Sequence, residues 1–537
     1  MTGTNSSSAM KRKPKLALVT LYGFEALGVR ALHAYLKDKG ADITVLFFQD
    51  RAMNEMKPLS DDDLAQIVAK LREVGAEIVG LSLFSAMYPD AIRLTARIKR
   101  ELGALVIWGG YHPTVVPDEC LSAGFHTDDD HALADILCIG EGEEPLWELY
   151  QRIAAGQPYH DIANLWVHAP DGIWRNELRP LIQDLDSLPF FDYSDENKHY
   201  FDEGRWHAGE PFMQSGGRGK YFRSHYIIQT SRGCPYGCAY CSNSIFREVT
   251  KGKGSYVRQR SVPNIMKQLA YARQIFPQMK VVFFFDEVLV INREWMLEFT
   301  REYKAQVGLP FKCNLHPNFI DEEVIRLLVD AGLDDLMVGI ESGSDRVRRE
   351  VFNRHIPTDK MIRMAEIVHQ GGLMPSYNLI VDNPYETQAD KDESFEYLLK
   401  IPRPYNLRLY SLTHLPNTAL TRRALADGHI TLDDIEGYSR KTLEQWAVSL
   451  GNKAPNKESL FWSAVISLLP KRFIPKGLIK RMYHSPYLRK RPGIVVRFAK
   501  VANAIKKGTG ALGWLLEGRI DLSYIRKQWR SSIRVAR

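Results

Sequence analysis

The chain has 537 residues, 45% hydrophobic and 25% charged, a globular composition that is too long for one core and excludes collagen, coiled coil and wholesale disorder. The net charge of +7 hides an asymmetry, because Lys453 to Arg537 hold 20 Lys and Arg against three acids, which leaves the first 452 residues acidic. No uncharged stretch offers the ~20 apolar residues of a membrane span, and six cysteines are too few and too unevenly spread for a secreted disulfide framework. A cytoplasmic protein is expected.

Residues 1–14 lack an apolar h-region and read as a disordered lead-in. From Lys15 to Ala155 apolar runs alternate with amphipathic helical patterns. The runs are LALVTLYG, ITVLFFQ, EIVGLSLFS, ALVIWGG and ADILCIG; the helices include EALGVRALHAYLKDKG and YPDAIRLTARIKREL. Such runs predict a doubly wound, Rossmann-like parallel sheet covered on both faces. A ligand is expected at the carboxyl ends of its strands, where the loops carry Gly23, Ser82, Ser85, Gly109, Gly110 and Gly140 to Glu143. Simple turns are the alternative for these glycines.

Residues 156–224 are punctuated by proline, glycine and aspartate and read as a linker. Alternation resumes over 225–430 in YIIQTS, KVVFFFDEVLVI, FKCNLH, LDDLMVGIES, PSYNLIVD and NLRLYSLTHL. About six β/α units predict a full or partial (β/α) barrel with active residues at its carboxyl strand ends. Residues 431–537 form a basic, mainly helical extension. In RPGIVVRFAKVANAIKK, Ile494, Phe498, Val501 and Ile505 share one helical face, with Arg497 and Lys500 away from its centre. That amphipathic pattern predicts either peripheral contact with an anionic membrane or docking on the acidic remainder of the chain. Nucleic acid is not an expected partner, since no recognised module accompanies the charge.

Cys234, Cys238 and Cys241 stand in RGCPYGCAYCSN directly after YIIQTS, at spacing C-x3-C-x2-C. A structural zinc site wants four ligands in closed coordination, and no second pair exists to complete one. Three thiolates can instead hold three irons of a [4Fe-4S] cluster and leave the fourth open to a small molecule. Cys313, in FKCNLH, is read as a buried strand cysteine.

With RGCPYGCAYC, FFFDE, GIESGS and NPYET, the chain resembles the radical S-adenosylmethionine (SAM) superfamily, in the branch whose N-terminal domain binds cobalamin. The resemblance covers Lys15 to about Leu420. It implies that SAM chelates the open iron, that an electron from the cluster cleaves the sulfonium, and that the resulting 5′-deoxyadenosyl radical abstracts hydrogen from a small-molecule substrate. It further implies Cys234, Cys238 and Cys241 as cluster ligands, and Tyr240, Asp286, Glu287, Glu341 and Ser342 as SAM contacts. WGGYHPT and CIGEGEEPL imply a cobalamin slot containing Ser82, Ser85, Gly109, Gly110, Gly140, Glu141 and Gly142. The axial-ligand motif D-x-H-x-x-G is absent: the first loop reads TLYGFEALG, His33 falls inside the following helix, and His112 reads as a loop histidine beside the slot. Two segments depart from the family pattern, VDNPYET and PNTAL, where glycine is commoner beside the proline. The expected activity is cobalamin-dependent methyl transfer to an unactivated carbon or phosphorus centre, fed by a low-potential donor such as a flavodoxin or ferredoxin. The alternatives are a radical cyclase or ring-rearranging enzyme, and a non-catalytic sensing module.

Overall fold

The computed structural model describes residues 12–48, 58–121, 133–202, 204–214, 224–438 and 456–516, with side chains through Ile505. The lead-in before Arg12 and the basic end after Leu516 lie outside the described residues.

The first sheet begins with the expected strands: β1 (Leu16–Thr20), β2 (Ile43–Phe48), β3 (Ile78–Ser82), β4 (Leu105–Gly109) and β5 (Ile136–Cys138). They are parallel in the order β5-β4-β3-β1-β2, and their apolar residues are buried because helices cover both faces. One helix, Asp61–Val74, shows how locally determined these elements are: Ser60 and Asp63 form a capping box, and Gly75 ends it in the left-handed region. The strand order reverses between β1 and β3, which opens a ligand crevice at their carboxyl ends.

The segment 156–224 does more than link. It supplies β6 (Leu165–Ala169) and β7 (Gly172–Arg175), a hairpin added antiparallel to β5, and β8 (Lys198–Asp202) and β9 (Arg205–Ala208), added beside β2. The sheet therefore has nine strands. These strands are four or five residues long and interrupted by turns, so they carry little periodicity, yet they cover both edges of the parallel core.

The second sheet contains β10 (His225–Ile228), β13 (Val281–Phe284), β14 (Phe311–Leu315), β15 (Leu333–Glu341), β16 (Ser376–Val381) and β17 (Asn406–Ser411), all parallel and in chain order. It is open between β10 and β17, so the barrel is partial. A small antiparallel pair, β11 (Ser231–Arg232) and β12 (Arg258–Gln259), sits beside its entrance.

A buried ion pair ties the two sheets together. Arg30 donates to both carboxylate oxygens of Glu210 at 2.7 and 2.8 Å, and its guanidinium lies 4.6–4.9 Å from the rings of Phe47, Tyr193 and Phe212. The Tyr193 hydroxyl in turn donates to the Ile227 carbonyl of β10 at 3.0 Å. Glu210→Ala leaves Arg30 buried without its counter-charge and is expected to cost about 3–5 kcal/mol. A lower urea midpoint checks this; an unchanged midpoint contradicts it.

Candidate active site

After β10 the chain passes through β11 into the loop bearing the three cysteines, then directly into helix Ser242–Val249. Asp286 fixes the root of this loop. Its Oδ1 accepts the Thr230 N–H at 2.9 Å and the Ser231 N–H and hydroxyl at 2.6 Å, while Asn314 donates to its carbonyl at 2.7 Å. Burial pushes the Asp286 carboxyl up to about 6, against the hydrogen bonds that lower it.

Further contacts hold the loop's shape. Gly233 has φ +85° and faces the Tyr256 carbonyl 2.3 Å from where a Cβ would stand, so only glycine fits there. Arg247 donates to the carbonyls of Cys234 and Tyr236, and Asn353 to that of Gly237 at 2.8 Å. The Tyr236 ring stacks on His316 at 3.5 Å, with 18° between planes. His316 follows β14; its Nδ1 accepts the Asn318 N–H at 3.2 Å.

The three thiols form no disulfide. Burial, helped by the charges of Glu287 and Cys238, pushes Cys234 up and Cys241 up to about 12. Arg354 points Nη1 at the Cys238 sulfur at 3.7 Å, and Asn243 points its amide at the Cys241 sulfur at 3.9 Å. Among the described residues, no three Cys, His, Asp or Glu converge closely enough to hold a single metal ion. A cubane cluster needs no such convergence, because each thiolate takes a different iron, and bound cations ionise the thiols that burial keeps protonated. The donor set therefore fits a cluster held by Cys234, Cys238 and Cys241.

Of the sequence-predicted SAM contacts, the structure gathers Tyr240, Glu287 and Glu341 around these cysteines. Tyr240 hydrogen-bonds the Glu341 carboxylate, and Arg354 lies beside both while donating to the Gly339 carbonyl at 2.7 Å. Glu287 is exposed and acts electrostatically on Cys234 and Cys241. Asp286 and Ser342 are not brought in. The Asp286 carboxylate is turned into the root of the loop, and Ser342 is buried against Ser394 at 3.4 Å, its oxygen accepting the Ser344 N–H.

The B12 binding domain family matches residues 15–149, and the Radical SAM superfamily matches residues 228–398. Together they span more than half of the chain. This chain is a radical SAM enzyme with a B12-binding domain. It is 24% identical over 402 residues to an uncharacterized methyltransferase of Pyrococcus horikoshii, covering 72% of this chain and 79% of that one. It is 23% identical to the cytidylyl-2-hydroxyethylphosphonate methyltransferase of Streptomyces wedmorensis, covering 73% and 74%. It is also 23% identical to the anaerobic magnesium-protoporphyrin IX monomethyl ester cyclase of Rubrivivax gelatinosus, covering 70% and 62%. The fold matches the radical SAM methyltransferase TsrM of Kitasatospora setae, solved with cobalamin and a [4Fe-4S] cluster, with TM-score 0.60 and 14% identity over 91% of this chain and 100% of that one.

In this radical SAM enzyme the carboxyl ends of the two sheets face each other. Tyr111, after β4, packs 5.7 Å from Phe246 of the helix that follows Cys241, and its hydroxyl donates to the Pro416 carbonyl. Arg232, two residues before Cys234, pairs with Glu141 at 2.8 Å and with Glu143; Arg258 joins Glu141 at 2.8 Å. Glu141 thus belongs to a seam of ion pairs, which hold its carboxylate below the usual range despite burial. Sequence reading assigned Glu141 to the cobalamin slot and overlooked Arg232 and Arg258.

The other slot residues divide. Ser82, Gly109 and Gly110 stay partly exposed at the β3 and β4 ends, and the two loops approach so closely that a Cβ on Gly110 would stand 3.0 Å from the Leu83 nitrogen. Phe84, 60% exposed beside them, offers an apolar surface suited to a corrin face. Ser85 instead is buried, hydrogen-bonded to His112 at 3.0 Å and covered by Gly437. Gly140 donates its N–H to Thr114, and Gly142 packs against Leu32. Ser82, Gly109, Gly110 and Phe84 are the residues that fit cobalamin. His112 lies in a buried turn of helix rather than a loop, and His33 is a packing histidine, held neutral by burial with its pKa down to about 3. Both departures from the family's glycines carry residues that tolerate positive φ: Asp382 at 60° and Asn417 at 61°. Asn417 adds a 2.6 Å bond to the Val115 carbonyl across the seam.

Arg354→Met removes a positive charge and an N–H donor aimed at Cys238, so the reconstituted cluster is expected to keep its iron but reduce at a more negative potential. A redox titration followed by electron paramagnetic resonance checks this; an equal or higher potential contradicts it.

Proposed function

We propose that this radical SAM enzyme is a cobalamin-dependent methyltransferase acting on an unactivated carbon or phosphorus centre of a small molecule. When bound, the cluster supplies the electron that opens SAM to a 5′-deoxyadenosyl radical, and cobalamin supplies a transferable methyl group. The observation that carries the reading is the opposition of the cysteine loop to the exposed strand ends at Ser82, Phe84 and Gly110. Hydrogen abstraction and methyl capture need one shared, water-poor space, and the seam built by Arg232, Glu141 and Tyr111 holds the two strand-end faces together.

Within that space the chain's own residues divide the work. Tyr240, Glu287, Glu341 and Arg354 orient SAM, whose amino group calls for an acceptor and whose carboxylate calls for a cation. Arg247, Asn353 and Tyr236 keep the three thiols in place, and a flavodoxin or ferredoxin delivers the electron. Likeness to the cyclase favours a second reading, radical ring closure without methyl transfer. Anaerobic turnover with SAM carrying a deuterated methyl group separates the two. Deuterium in product together with 5′-deoxyadenosine is expected; 5′-deoxyadenosine with unlabelled, cyclised product contradicts methyl transfer. Cys238→Ala is expected to lose the brown visible absorbance and all 5′-deoxyadenosine release; retained iron and absorbance contradict the ligand assignment.

The basic extension supports peripheral membrane contact. Residues 456–516 hold thirteen Lys and Arg against one acid, Glu458. In helix Pro492–Leu516, Val495, Ala499 and Ala502 are buried, whereas Ile494, Phe498 and Val501 are 41–60% exposed between exposed Arg491, Arg497 and Lys500. The apolar stripe thus faces away from the helices beneath it, and its basic flanks complement anionic headgroups. Tyr483 bonds Gln388 and Asp392 at the start of helix Gln388–Lys400, which follows the carboxyl end of β16, so the extension leaves for helix Pro492–Leu516 on the side of the barrel mouth. Among the described residues no helix is long and apolar enough to cross a membrane. Phe498→Asp with Val501→Asp is expected to lower co-sedimentation with phosphatidylglycerol vesicles severalfold; equal binding by both proteins contradicts membrane contact.

A further inference from the structure

The inner wall of the partial barrel has a composition of its own. Along each strand, alternate residues pack outward on the helices: Phe284 against Phe299 and Tyr303, then Phe311, Leu336, Val338, Tyr377, and the partly buried Leu407 and Leu409. Their neighbours in the pleat point inward. Phe285 and Tyr410 among them are 43% and 40% exposed, so the wall they line is open and carries aromatic surface.

Charge on this wall is sparse. Lys312 of β14 and Asp335 of β15 face each other at 3.5 Å and offset one another. Arg408 of β17 is exposed, and it reaches across β16 to place Nη1 3.5 Å from the Met337 sulfur of β15. A thioether is a weak acceptor. Among the described residues no carboxylate lies within ion-pair distance of Arg408. Its register partner Asn378 has a carboxamide oxygen without a hydrogen-bond partner. Arg408, with only a thioether as side-chain partner, and Asn378 therefore stand side by side on a wall that also carries Phe283, Phe285, Met337 and Tyr410. They lie one layer deeper than Tyr410 and Ile380.

We propose that Arg408 anchors an oxyanion of the substrate, and that the substrate is an amphipathic molecule with an apolar or aromatic body ending in a carboxylate or phosphate. A guanidinium forms charge-assisted bonds to such a group, while the exposed Phe285 and Tyr410 rings take up the apolar body. This inference rests on the reading of the barrel interior as the substrate chamber. It assigns SAM's own carboxylate to the Arg354 side, near the cysteines, and not to Arg408.

Equilibrium dialysis of the anaerobically reconstituted protein tests it with three probes of one shape: 2-naphthoate, neutral 2-naphthamide and 2-naphthylmethylammonium. Arg408→Met is expected to weaken naphthoate about tenfold and to leave naphthamide and SAM within about twofold. Arg408→Glu is expected to reverse the preference toward the ammonium probe, and Phe285→Ala to weaken all three alike. Absent naphthoate binding, equal naphthoate binding by wild type and Arg408→Met, or a parallel loss of SAM affinity overturns the proposal. Release of 5′-deoxyadenosine from the same wild-type sample distinguishes the two levels: its absence with charge selectivity intact sinks the radical reading alone, and its presence without selectivity sinks this one.

Discussion

Everything in this molecule depends on the ion cluster that seals the two sheets end to end. Arg258, buried, and Arg232, partly buried, meet Glu141 and Glu143, and Arg232 stands two residues from Cys234. Partly buried charges of this kind are costly unless paired, so the pairing holds only when the B12-binding domain sits against the cysteine loop. Burial and the two arginines act oppositely on Glu141, and the arginines prevail, which keeps the seam ionised. Tyr111 on Phe246, Asn417 on the Val115 carbonyl and Tyr438 on Glu119 repeat the contact around the seam.

This arrangement explains why the loop bearing the thiols is so heavily supported. A C-x3-C-x2-C segment has little secondary structure of its own, and its backbone groups need partners. They come from three directions: Arg247 from the following helix, Asn353 and Phe352 from the turn after β15, and Leu420 from beyond β17, while the His316 ring stacks beneath the Tyr236 side chain. Asp286 anchors the entrance. The loop is thereby fixed before any cofactor arrives, which reduces the ordering that binding must drive.

What was legible in the sequence follows from range. The five core strands, the six barrel strands and the cysteine spacing are local patterns, and the structure has them where the periodicity and the motif put them. The edge strands β6 to β9 were missed because strands of four or five residues between turns leave too short a signal, and their apolar residues are divided among several neighbours. Ser342, Asp286 and Ser85 could be numbered but not oriented; each faces a partner that is distant in the chain, 52, 55 and 352 residues away for Ser394, Ser231 and Gly437. Arg232 and Arg354 went unnoticed for the same reason, since nothing near them in the chain announces Glu141 or Cys238. Phe84 had a visible clue, an aromatic residue in the short run Ser82-Leu83-Phe84-Ser85 just past a strand end.

The central claim is that Cys234, Cys238 and Cys241 hold three corners of an iron–sulfur cube whose fourth iron takes SAM. Electron–nuclear double resonance on the reduced, reconstituted protein with SAM labelled at its amino nitrogen addresses that contact itself. The account predicts a nitrogen coupling that changes with the isotope and disappears in Cys241→Ala. A cluster signal indifferent to SAM, or the same thiols occupied by zinc, would contradict it.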